Sequence, residues 1–132
     1  MSRLPRAQEF LKTGFNAEAA SAARLRAAAV GAEGEGRPNL ARALRELASE
    51  KDALALTQLE AAGQRHGTEH ELAAALAEER YENDALYPRM SREVDEETAG
   101  IFRDVVARQQ QHAERLEGIL DAVTRSHGDL PA

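Results

Sequence analysis

Cysteine and tryptophan are both absent from these 132 residues. Without cysteine there is no disulfide, no thiolate metal site and no cysteine nucleophile. Aromatic residues make up only 4% of the chain, and valine and isoleucine together number seven. The side chains that fill a sheet core are therefore scarce. No apolar run approaches the roughly 20 residues of a membrane span, and no secretory signal is expected. Positive charge is in deficit: 17 Lys and Arg against 23 Asp and Glu leave a formal charge of −6. That balance argues against nucleic acid or an anionic membrane surface as partner. The expectation is a soluble, cytoplasmic protein.

What is present is alanine, 27 residues of it, with 15 leucines. Both favour helix, so the chain is expected to be all-α. Small alanines let helices approach closely but leave a thin core, which points to a homodimer. The length suits a single domain spanning 1–132. Gly31, Gly34 and Gly36 followed by Pro38 end a first helix that begins near Pro5, and Pro38 suits the first turn of the second. Gly63 and Gly67 stop that second helix. Thr68 and Glu71 have the spacing of a capping box. Pro88 predicts a kink within the third helix. Asp95 is the expected N-cap of a fourth helix that stops before Gly128. Helices over 5–32, 38–62, 68–93 and 96–126 read as an antiparallel four-helix bundle.

Steps of three and four give each helix an inner stripe. The first reads Leu11, Phe15, Glu18, Ala22, Leu25, Ala29, and the second Leu40, Leu44, Leu47, Lys51, Leu54, Gln58. The third is Leu72, Leu76, Glu79, Glu82, Leu86, Met90, and the fourth Phe102, Val105, Gln109, His112, Leu116, Ile119, Val123. All four are interrupted near the middle by polar groups. Isolated charges in a core are costly, so these groups must hold a metal or neutralise one another. His66, His70 and His127 fall at loops or helix ends and read as surface.

These residues resemble the rubrerythrins, ferritin-like carboxylate di-iron proteins. Glu79-Arg80-Tyr81-Glu82 followed by Tyr87-Pro88 is similar to their third-helix signature of two ligand glutamates and a Tyr-Pro. Phe15-Asn16-Ala17-Glu18 resembles the first-helix ligand segment, and Glu35-Gly36 the end of that helix. Phe102 through His112-Ala113-Glu114-Arg115 follows the fourth-helix pattern. The resemblance covers about residues 9 to 123. It implies a ferritin-like bundle with Glu18, Glu79, Glu82 and His112 as metal ligands, and iron as cofactor, either one ion or a weakened pair. The chemistry it implies is that of a non-haem iron peroxidase or ferroxidase, an oxidoreductase served by a separate electron donor because no rubredoxin domain is present. It assigns no further catalytic or cofactor-binding residue.

The departures are specific. Gln109 stands where the fourth helix should carry glutamate, and Lys51 and Leu54 stand where the second should carry Glu and His. A slip of one residue would place Glu50 and Ala53 there instead, but takes Glu50 off the leucine stripe. Lys51 is one of two lysines beside 15 arginines. One reading is an ammonium that snorkels outward. The other places it among Glu18, Glu79 and Glu82, in the role of a lost cation. On the second reading the chain is a metal-free pseudo-enzyme with a Lys-Glu polar core, serving as an oligomeric scaffold or interaction protein. Loss of a fully buried Lys51 would then cost several kcal/mol.

Overall fold

The first helix, α1 (Ala7–Gly34), runs straight through Gly31 and Gly34. The turn falls to Gly36, at φ 74°. With that residue left-handed, the Gly36 N–H reaches the Glu33 carbonyl at 3.0 Å and the Arg37 N–H reaches Ala32 at 2.9 Å, closing the helix end. Pro38, which lacks an N–H, then opens α2 (Pro38–Ala62). The computed structural model describes residues 4, 6–63 and 67–131, and among them there is no β-strand. Pro5, the expected start of the first helix, and His66, expected at the surface, lie outside the described residues.

The chain divides into two compact units, Met1–Arg65 and His66–Ala132. In the first, α1 and α2 form an antiparallel hairpin. The Gln8 side-chain amide donates to the Ala62 carbonyl at 2.7 Å at the open end, and Arg45 pairs with Glu33 near the turn. The Arg45 guanidinium holds the Glu33 carboxyl below its usual range.

The seam between these helices corrects the leucine stripe expected for α2. Its buried residues are Ala41, Ala48, Ala55 and Ala62, spaced by seven, against Ala22, Ala29 and Ala32 of α1. Leu40, Leu47 and Leu54, each one position earlier, are exposed. The reason is volume. Helices that close on one another need small side chains between their backbones, and alanine fits there where leucine does not. Leu44 packs at the seam's edge against Ala29, Ala32 and Ala41. Gln58 lies over Gly14, where an added Cβ would stand 1.7 Å from its Oε1.

The second unit pairs a segmented rod with one long helix. The rod is α3 (Thr68–Tyr81), a π-helical turn (Glu82–Leu86) and α4 (Tyr87–Ser91). The capping box does not form. Thr68 is already helical, and Gly67, at φ 95°, precedes it as a cap without a side chain. Its carbonyl accepts the Glu71 backbone N–H at 3.2 Å. The π turn answers Pro88. A proline ring clashes with the carbonyl four residues back and offers it no N–H, so the ladder widens just upstream, where the Tyr87 N–H reaches Glu82 rather than Asn83.

Asp95 caps α5 (Glu96–Ser126) as the sequence leads one to expect. Its carboxylate accepts the Thr98 N–H at 3.0 Å and the Thr98 hydroxyl at 2.7 Å. The Thr98 hydroxyl and then its backbone N–H hold the Asp95 carboxyl below the usual range. At the far end His127, at φ 54°, makes the left-handed turn that closes the helix, one residue before Gly128. The rod and α5 run antiparallel: Arg80 pairs with Glu117 at 2.8 Å, and the Tyr87 and Phe102 rings meet at 5.6 Å. Leu76, Asn83, Ala99 and Ala113 are the buried residues of this hairpin.

Candidate polar sites of the two hairpins

In the first hairpin, the alanine spacing that closes the seam also sets Glu18 and Lys51 on its edge. Glu18 follows Phe15 and precedes Ala22 on α1, and Lys51 lies midway between Ala48 and Ala55 on α2. The Lys51 Nζ is 3.0 Å from Glu18 Oε2, an ion-pair contact without hydrogen-bond alignment. The lysine side chain is 37% exposed and the glutamate 24%, so the aliphatic stem lies along the seam while the ammonium stays partly wet. Glu50, the alternative from a one-residue slip, is exposed. So is Leu54, at the place where the resemblance expects a histidine.

In the second hairpin, Glu79 projects from α3 and Glu82 from the first residue of the π turn, both half-buried. Across from them on α5, the Gln109 amide donates to Glu82 Oε1 at 3.2 Å. His112 Nδ1 lies 3.8 Å from Glu79 Oε1, beyond hydrogen-bond length, with its side chain 64% exposed. The sequence reading missed Asn83, which is buried between the rod and α5. Its signal was available: it lies seven residues after Leu76 and four after Glu79, on the same inner face. Three oxygens here are shielded from water and accept no hydrogen bond among the described residues: Glu79 Oε2, Asn83 Oδ1 and Gln109 Oε1.

No protein-family model matches the chain, and no curated protein matches it in sequence.

The donor chemistry can be set directly against what a pair of iron ions requires. Four carboxylates and two imidazoles suit such a pair. Here the corresponding places hold three carboxylates, one imidazole, one amide, one ammonium and one leucine. Among the described residues no three His, Asp or Glu side chains converge as metal ligands. Lys51 already supplies a positive charge to Glu18, and Gln109 offers a neutral oxygen where iron would draw on a carboxylate. These residues do not fit an iron pair. What they can do is pair within each hairpin: the Lys51 ammonium offsets the charge of Glu18 in the first, and in the second the Gln109 amide donates a hydrogen bond to Glu82 but brings no charge. Two surface grooves, one beside Pro38 and Arg42 and one beside Tyr87 and Pro88, include none of Glu18, Glu79, Glu82 or His112.

Proposed function

We propose that the chain is a rubrerythrin-like, ferritin-family bundle whose di-iron centre has been replaced by internal Lys-Glu and Gln-Glu pairing. It acts as a dimeric cytoplasmic scaffold or binding partner rather than as a peroxidase. The observation that carries this reading is the Lys51 ammonium at 3.0 Å from Glu18 Oε2, a fixed protein cation on the one first-hairpin carboxylate that the resemblance makes a ligand. The charge balance supports it. Within the first hairpin Lys51 against Glu18 leaves −1 + 1 = 0 without a metal ion.

A second reading is favoured by one observation, the 3.8 Å approach of His112 to Glu79. On that reading Glu79, Glu82 and His112 keep a single iron ion and its oxidoreductase chemistry.

Metal analysis after anaerobic loading with ferrous iron separates the two. The scaffold reading expects no stoichiometric iron in the parent chain, and two irons per chain in the Lys51→Glu, Leu54→His, Gln109→Glu variant. That variant should also show the near-ultraviolet absorbance of an oxo-bridged ferric pair after air exposure. One iron per parent chain, lost in His112→Ala, establishes the second reading. Two irons and that absorbance in the parent chain would sink the replacement of the centre by Lys51.

A further inference from the structure

We propose that the second hairpin binds one hard, redox-inert divalent cation of the Ca2+ class, held by Glu79 Oε2, Asn83 Oδ1 and Gln109 Oε1. The three atoms are all oxygens, all shielded from water, and none accepts a hydrogen bond among the described residues. Asn83 is only 6% exposed. It sits one helical turn beyond Glu79 on the same face of the rod, so their side chains start about 5–6 Å apart. Gln109 faces them from α5. Its donation to Glu82 Oε1 fixes which end of the amide is nitrogen, since a carboxylate can only accept, and leaves Oε1 as an acceptor with no donor. Glu82 is the neighbour of Asn83 in sequence and lies one turn from Glu79, so its bond to Gln109 brings that amide to the stretch of the rod that carries both.

Charge points the same way. Glu79 and Glu82 bring two negative charges to this level, and the closest arginine in sequence, Arg80, is engaged by Glu117. His112 lies beside the other Glu79 oxygen and is mostly exposed. A group that meets this set must be positive and must accept oxygen lone pairs. One carboxylate and two neutral amide oxygens form a hard donor set. Ca2+ takes such ligands with loose geometry and fills its remaining positions with water, whereas Mg2+ demands a near-ideal octahedron. Transition metals would draw on imidazole, which this set does not need. The set differs from the Glu, Glu and His ligands that the resemblance implies. It also explains an asparagine in the π turn, where the widened ladder seats a side chain between the rod and α5. The inference rests on the reading that no iron pair is held here.

The test uses the chain's own fluorophores. Its two tyrosines, Tyr81 and Tyr87, flank the π turn, and there is no tryptophan. Tyrosine-sensitised Tb3+ emission should titrate to one ion per chain and be displaced by Ca2+. Asn83→Leu and Gln109→Leu should each weaken binding at least tenfold, while His112→Gln should leave it within about twofold. Far-ultraviolet circular dichroism confirms that each variant is folded, and if Asn83→Leu is not, Gln109→Leu decides alone. The proposal is overturned by emission that Ca2+ does not displace, by leucine variants that bind like the parent, or by loss of binding in His112→Gln. Iron uptake is scored separately. Two irons per chain with Ca2+ displacement intact overturns only the lost centre, and no displacement without an iron pair overturns only the Ca2+ site.

Discussion

Replacing Lys51 by methionine keeps the stem that lies along the α1–α2 seam and removes the charge that faces Glu18. The size of the effect follows from how wet the pair is. Breaking a fully buried ion pair costs about 3–5 kcal/mol, because the surviving charge is stranded. Fully exposed pairs contribute about 0.2–1 kcal/mol. With 37% of the lysine and 24% of the glutamate side chain exposed, this pair lies between those limits, and solvent screens much of the attraction. Lys51→Met should therefore destabilise the first hairpin by about 1–2 kcal/mol, less than a fully buried ammonium predicts. The stranded carboxylate can turn outward, which lowers the figure further. Urea denaturation of the parent, Lys51→Met, Glu18→Gln and the double variant forms a cycle that isolates the pair. A coupling of about 1 kcal/mol is expected. Coupling within about 0.3 kcal/mol of zero, with both single variants folded, would show that the contact is incidental and that Lys51 neutralises nothing.

Ala48→Leu inserts three carbons at a fully buried position of the same seam and should cost about 1–3 kcal/mol by urea denaturation, although leucine is also a good helix former. Gly14→Ala goes the other way. The three atoms nearest its Cβ all belong to the flexible end of Gln58, so the substitution should raise stability by up to about 1 kcal/mol, read from the same denaturation curves. Asp95→Asn keeps the cap but removes its charge. The folded carboxyl is held below its unfolded value, so its contribution is present above the ordinary aspartate range and fades as pH falls through the folded value. Thermal melts of parent and variant should differ at neutral pH and converge in strong acid, and a constant difference would refute the assignment.

The helix ends were readable because they depend on local chemistry. The missing N–H of Pro38, the left-handed turn at Gly36 and the carboxylate of Asp95 act on atoms within a few residues. The seam of α2 was misread by one position because hydrophobicity and size compete there. A period of seven fits Leu40, Leu47 and Leu54 as well as Ala41, Ala48 and Ala55, and only the separation of the two backbones decides which row is enclosed. Thr68 and Glu71 had the right spacing for a capping box, but Gly67, at positive φ, takes the cap position and leaves Thr68 inside the first turn. Periodicity set Glu18, Glu79 and Glu82 on inner stripes, and all three are half-buried. Asn83 was missed, because a buried asparagine has no strong pattern of its own, and the π turn that seats it is written only in the position of Pro88.

That π turn also changes what the chain can lose. Elsewhere in these helices, deleting one residue turns every later side chain by about 100° and scrambles the buried face. Within Glu82–Leu86 the backbone already carries one residue more than a regular helix of that span would use. A deletion there could be absorbed by closing the ladder, with α4 and its Tyr87 contact to Phe102 left in register. The second hairpin thus has a single place where its length can change by one without rewriting the rest. The same deletion would fall on Glu82, which accepts from Gln109, and on the buried Asn83, so a shorter chain could keep its fold while giving up its polar centre.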